Sequence, residues 1–167
     1  MTCTFWGHRD TPQKAKFILQ PVLIDLIENR NVNQFYVGNN GNFDSMVQNY
    51  LKCLKSDYPH IQYNIVLAYM PDTKSGLAMP GAIYPGGLEK TPPQYAIIKR
   101  NQWMINRSEY VITYVKYCTG GAAKSKESAE KKGKIVLNLA DFASIAEPPQ
   151  GCTISDNPGL LQFPKQV

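Results

Sequence analysis

Five short β-prone runs, at residues 3–6, 34–37, 63–69, 110–115 and 134–139, alternate with stretches whose apolar residues recur at helical spacing. The first helical stretch carries Phe17, Ile18, Val22, Leu23, Leu26 and Ile27 and ends near Asn29. A second runs from Phe43 or Asp44 to Ser56, with Met46, Val47, Tyr50, Leu51 and Leu54 on one face. A third follows Pro92-Pro93 to about Arg107, with Tyr95, Ile98, Trp103, Met104 and Ile105 as its apolar members, and a fourth covers residues 122–132. Strand–helix–strand alternation is the signature of a parallel sheet with helices on both faces. The expectation is one α/β, Rossmann-like, three-layer domain with a mostly parallel sheet of about five strands.

Local signals refine the boundaries. Asp10 or Thr11 can cap the first helix, with Pro12 in its first turn and Gln13 completing a capping box. Pro21 is expected to kink that helix or divide it. Residues 71–91, rich in Gly and Pro, read as a binding loop or lid. Residues 140–167 read as an irregular extension that packs on the 1–139 domain or on a neighbouring subunit.

With 43% hydrophobic and 19% charged residues among 167, the chain is long enough to bury one core. No run approaches the roughly 20 apolar residues of a membrane span, and the first residues show no secretory leader, so the expected location is the cytoplasm. Cys3, Cys53, Cys118 and Cys152 are widely spaced; with only His8 and His60 beside them they suggest reduced thiols and no metal site. A net charge of +5 favours anionic partners in a general way. The densest basic run, Lys124, Lys126, Lys131, Lys132 and Lys134, reads first as the solvated face of a surface helix.

In open parallel sheets, ligands bind beyond the carboxyl ends of the strands, where strand order switches. The pocket is therefore expected among the loops that begin at Gly7, Gly38, Met70 and Cys118. Gly7-His8-Arg9-Asp10 joins a strand to a helix: glycine permits close backbone approach, the helix N-terminus offers free N–H groups, and Arg9 can add a bidentate phosphate contact beside His8. Gly38-Asn39-Asn40-Gly41 stands in the same position after the second strand, and Asp44 is either the cap of the following helix or an acid in the pocket. Gly120-Gly121-Ala122-Ala123 closes the fourth strand and opens a helix, as a phosphate cradle does, without a P-loop or a complete G-x-G-x-x-G pattern. Lys124 and Lys126 at the start of that helix oppose its dipole unless an anion sits nearby. Arg100 and Asn101 either point into the same pocket or, in the case of Arg100, pair with Glu89 or Glu109.

Cys3-Thr4-Phe5-Trp6-Gly7-His8-Arg9-Asp10, Phe35-Tyr36-Val37-Gly38-Asn39 with Phe43-Asp44, Val66-Leu67-Ala68-Tyr69-Met70-Pro71, Lys99-Arg100-Asn101-Gln102-Trp103-Met104-Ile105 and Gly120-Gly121-Ala122 resemble, in this order, the YpsA/YoqJ-like branch of the SLOG superfamily. The resemblance implies a Rossmann-like fold related to the DNA-processing protein DprA and to the LOG (Lonely Guy) phosphoribohydrolases. It also implies a pocket for a nucleotide or nucleotide-derived signal, frequent prophage origin and a homo-oligomer. LOG enzymes carry P-G-G-x-G-T-x-x-E with an upstream Arg. Gly120 and Gly121 match the paired glycines, Glu127 the Glu and Arg100 the Arg, whereas Thr119 replaces Pro, Ala123 the third Gly and Lys124 the Thr. Glu127 is equally placed to pair with Lys131 at i+4.

The leading expectation is a protein that binds a nucleotide-derived signal, as a sensor or as a phage-type sponge for a host immune signal such as a cyclic ADP-ribose or a cyclic oligonucleotide. Its ligand-binding residues would be Gly7, His8, Arg9, Gly38, Asn39, Gly41, Asp44, Met70, Arg100, Asn101, Gly120, Gly121, Ala122 and Lys124, with no cofactor or metal required. The altered turn weighs against catalysis. Were the chain an enzyme, it would be a nucleoside-monophosphate N-glycosidase using Glu127 and Arg100. Single-stranded nucleic-acid binding, as in DprA, ranks third because no stripe of exposed aromatics interleaved with Lys and Arg is evident. No membrane partner is expected.

Overall fold

The computed structural model describes residues 1–70 and 81–142. Its strands are β1 (Thr2–Gly7), β2 (Gln34–Val37), β3 (Gln62–Ile65), β4 (Tyr110–Tyr114) and β5 (Ile135–Asn138), and its helices are α1 (Lys16–Glu28), α2 (Asn42–Asp57), α3 (Pro93–Asn106) and α4 (Gly121–Lys131). The strands form a 5-stranded, all-parallel sheet in the order β3-β2-β1-β4-β5. β1 is central: Cys3 lies opposite Phe35 of β2 and Tyr110 of β4, and the β4 pairing continues to Gly7 opposite Tyr114.

Alternation along the strands sends side chains to two cores. Cys3, Phe5, Phe35, Ile112 and Tyr114 pack with Leu19, Leu23 and Leu26 of α1 and Val47 and Leu51 of α2. Trp6, Val66 and Val111 pack on the other face with Met104 and Ile105 of α3 and Ala129 of α4. A sheet covered on both faces needs continuous rather than alternating hydrophobicity, which is why all five residues of β4 are buried.

The structure moves two boundaries of the sequence reading, at the start of the first helix and the end of the third strand, and adds detail elsewhere. The helix after β1 opens with a 3-10 turn, Gln13–Ala15, and neither Asp10 nor Thr11 caps it; the Thr11 hydroxyl instead donates to the His8 carbonyl at 2.7 Å. Pro21 lies inside a single helix, on its exposed side with Phe17, where the carbonyl deprived of a partner can be served by water. β3 stops at Ile65; Val66 N still donates to Val37 O at 2.7 Å, and Val66 also bridges Ile83 in parallel, with Leu67 N donating to Ile83 O at 2.8 Å. Of the 71–91 loop, residues 81–91 are described, and they include a 3-10 turn at Leu88–Lys90. Residues 71–80 and the extension from 143, with Cys152, lie outside the described residues. Among the described residues no helix is long and apolar enough to cross a membrane.

Candidate functional site

Strand order reverses between β1 and β4: the chain leaves β1 toward β2 and leaves β4 toward β5. The crevice at their carboxyl ends is bounded by residues 7–13 and 115–120. His8 N donates to Tyr114 O at 3.2 Å, which prolongs the β1–β4 ladder. The His8 imidazole then crosses the crevice. Its Nε2 accepts from Lys116 N at 3.0 Å and Tyr117 N at 3.5 Å, and its ring lies 5.2 Å from that of Tyr117. His8, Asp10, Thr11, Pro12, Tyr114, Lys116 and Tyr117 line a small cleft here.

Asn138, at the end of β5, holds the same loop from the other side. Its Oδ1 accepts from Val115 N at 2.8 Å and from the Thr113 hydroxyl at 3.2 Å, and its Nδ2 donates to Val115 O at 2.9 Å. A single amide side chain thus stands in for a further pair of strand residues. With His8, it engages the backbone N–H groups of Val115, Lys116 and Tyr117, which leaves the loop leading into α4 held on both sides.

That loop ends at Gly120, the N-cap of α4, with φ +93° and ψ 179°. Only glycine takes this conformation without strain, and a Cβ there would meet nothing within 4 Å. The turn is therefore open as well as left-handed. No side chain caps α4 and no acidic residue stands in its first turn. Gly120, Gly121 and Lys124 are exposed, while the Trp6 indole N–H donates to Ala122 O at 3.2 Å and fixes the start of the helix to β1.

Gly41, the N-cap of α2, repeats the backbone of Gly120, with φ +108° and ψ 176°, but its front is filled: a Cβ would lie 2.8 Å from Arg9 Cα. Gly7 and Gly38 are also required by packing. A Cβ on Gly7 would sit 2.8 Å from the Phe43 ring, and one on Gly38 would collide with Arg100 Nη1 and Asp44 Oδ2.

Those two side chains form a buried ion pair, Nη2 to Oδ2 at 3.9 Å. Arg100 Nη1 also donates to Val66 O at 2.9 Å and Nη2 to Asn40 Oδ1 at 3.4 Å, while Asp44 Oδ2 accepts from Asn40 N at 2.9 Å. Asp44 therefore serves the backbone just before α2, and Arg100 takes Asp44 as its partner instead of Glu89 or Glu109. Burial raises the Asp44 carboxyl to about 6, against the pull of Arg100 and the Asn40 amide. Burial likewise lowers the Arg100 guanidinium, opposed chiefly by Asp44. Asn101 Nδ2 donates to Ser125 Oγ of α4 at 3.1 Å, and Arg100 Nε and Asn101 Oδ1 are buried without a hydrogen-bond partner.

The structure thus gathers the predicted residues at the carboxyl rim in two groups. His8, Gly120, Gly121, Ala122 and Lys124 belong to the crevice and the α4 turn, whereas Gly38, Asp44 and Arg100 form a packed clamp and Gly41 packs against Arg9. Arg9 and Asn39 are exposed at the rim, as is Met70 where the described residues break off. Glu127 is exposed and sits 2.5 Å from Lys131, which lowers its carboxyl; Arg100 is not among its partners. Three features escaped the sequence reading: the Asn138 brace, the His8 amide contacts and the exposure of Tyr69, Tyr95 and Tyr117 along the rim.

No protein-family model matches the chain, and no curated protein matches it. Among solved structures, the X-ray structure of DNA processing protein A (DprA) from Streptococcus pneumoniae is similar with a TM-score of 0.60 at 16% sequence identity, over 86% of this chain and 54% of that one. The chain thus spans about half the length of that protein. At this identity the likeness is one of architecture: the chain has a Rossmann-like fold of the kind found in DprA.

Proposed function

We propose that the carboxyl rim of the sheet binds a nucleotide-derived small molecule and holds it without cutting it, with a phosphate seated on the Gly120–Gly121 turn. One observation carries this reading. Among the strand-end glycines, Gly120 combines a left-handed backbone with open space in front of it, at a helix N-terminus without a capping side chain. Free N–H groups and the helix dipole favour an anion there, and Lys124 adds charge that its own helix does not want. The resemblance to the YpsA/YoqJ-like branch of the SLOG superfamily supports a nucleotide as the guest, as a signal to be sensed or sequestered.

Holding is favoured over N-glycosidic cleavage because Glu127 and Arg100 are engaged elsewhere. Glu127 faces solvent with Lys131, and Arg100 is committed to Asp44, Val66 and Asn40. A general acid or base must reach the bond it serves, and neither residue is free to do so alongside the other.

Mass spectrometry of small molecules released from the native, purified chain tests the reading, followed by calorimetry with ADP-ribose, NAD, cyclic ADP-ribose isomers and cyclic oligonucleotides. A co-purifying phosphate-bearing nucleotide that rebinds stoichiometrically is the expected result. Well-folded protein that releases none and binds none of the panel would refute it. Release of free base from nucleoside monophosphates, abolished by Glu127→Ala, would establish the enzyme instead.

A further inference from the structure

We infer that the first turn of α3 is a base-binding subsite, in which Tyr95 is the stacking platform for the aromatic ring of a nucleotide whose phosphate sits on the α4 turn. The inference rests on the phosphate reading above and adds to it where the base goes.

Three contacts fix how α3 and α4 lie. Gln102 Nε2 donates to Ser128 Oγ at 2.8 Å, Asn101 Nδ2 to Ser125 Oγ at 3.1 Å, and Ile98 Cγ1 lies 3.9 Å from the position of a Cβ on Gly121. Positions on both helices rise together, so the helices run side by side in the same direction. α4 begins level with Ile98, whereas α3 begins at Pro93. The first turn of α3 therefore projects past the N-terminus of α4, beside the space that an anion on that turn would occupy.

Tyr95 stands on this overhang. It precedes Ile98 by three residues and Lys99 by four, so it sits one turn before both, on the solvent side of the strip that Ile98, Asn101 and Gln102 turn toward α4. At 1.5 Å rise per residue, Tyr95 lies about 4.5 Å beyond Ile98 along the axis, past the level at which α4 begins. Tyr95 is 53% exposed, and among the described residues no hydrogen bond or ring contact engages its side chain. A lone exposed tyrosine needs no explanation. This one has a second tyrosine beside it: Tyr69, from the segment after β3, is 46% exposed and donates its hydroxyl to Pro93 O at 3.2 Å. The charge around it also suits an anionic ligand: Lys99 and Lys124 are exposed, and the first turns of both helices hold no acidic residue. Aromatic faces accept any base, and stacking of this kind raises affinity by roughly 10-fold per base.

Calorimetric titration of the full chain with AMP and with ribose 5-phosphate, on wild type, Tyr95→Ala and Tyr95→Trp, tests the subsite. Wild type should bind AMP at least about 10-fold more tightly than ribose 5-phosphate. Tyr95→Ala should remove that preference while leaving ribose 5-phosphate binding unchanged, and Tyr95→Trp should keep it. Equal weakening of both ligands by Tyr95→Ala, or an AMP affinity unchanged by it, would overturn the inference. Wild type that binds ribose 5-phosphate with no preference for AMP would sink the subsite alone. Binding of neither ligand would remove the phosphate reading and this inference with it.

Discussion

Arg100 and Asp44 reach each other over the carboxyl end of β2 from helices on opposite faces of the sheet, and they meet where a side chain on Gly38 would have to be. The pair ties α3, the start of α2 and the Val66 carbonyl into one clamp beside the proposed ligand site. Removing one member of such a pair leaves an uncompensated buried charge. Arg100→Met should therefore destabilise the chain by about 3–5 kcal/mol near neutral pH, measured by urea unfolding. A loss below about 1 kcal/mol would show that the clamp is incidental.

The same pair gives stability a pH dependence of known sign. Asp44 titrates at about 6 in the folded chain, above its ordinary 3.8, because burial disfavours the carboxylate. The folded state thus holds this proton more tightly than the unfolded state. The resulting stabilisation is complete below about pH 4 and is lost as the pH rises through about 6. Asp44→Asn should flatten this part of the stability profile. A profile of the same slope in the variant would assign the effect to another group.

Glycines that look alike in sequence should respond differently to alanine. At Gly38 the methyl group meets two charged side chains in a packed interior, and Gly38→Ala should cost about 3 kcal/mol or more. At Gly120 only the backbone objects, so Gly120→Ala should cost about 1–2 kcal/mol by thermal or urea unfolding. Equal losses at the two positions would contradict the contrast drawn between clamp and open turn.

Asn138 braces the loop that carries the turn. Asn138→Leu keeps approximate volume but strands the Val115 N–H and C=O in a buried place, which should cost about 2–4 kcal/mol. Amide hydrogen exchange should quicken at Val115 first, and protection there equal to wild type would show that the brace does not hold the loop.

Much of the architecture was legible because its signals are local. β2 was read at its observed bounds and α2 within a residue or two at each end, since a β-branched and aromatic run ended by glycine and a five-member apolar face leave little choice. What escaped depends on residues distant in sequence. Arg100 and Asp44 have several equally good partners on paper, and only the sheet order selects the pair. Asn138 reads as an ordinary strand end until β4 lies beside it. Tyr95 fits the apolar pattern of α3, yet it is exposed, on the part of α3 that precedes the level of Gly121. Gly7 and Gly38 were placed correctly at strand ends, but packing against Phe43, Arg100 and Asp44 is what requires them.

The central claim is that the α4 turn seats a phosphate, and amide chemical shifts read it at the atoms concerned. In a titration of isotopically labelled, full-length chain with ADP-ribose, the largest saturable shifts should fall on the N–H groups of Gly120, Gly121, Ala122 and Ala123. The Trp6 indole N–H, bonded to Ala122 O, should move with them. Saturable shifts confined to another part of the chain, or none at millimolar ligand, would contradict the account.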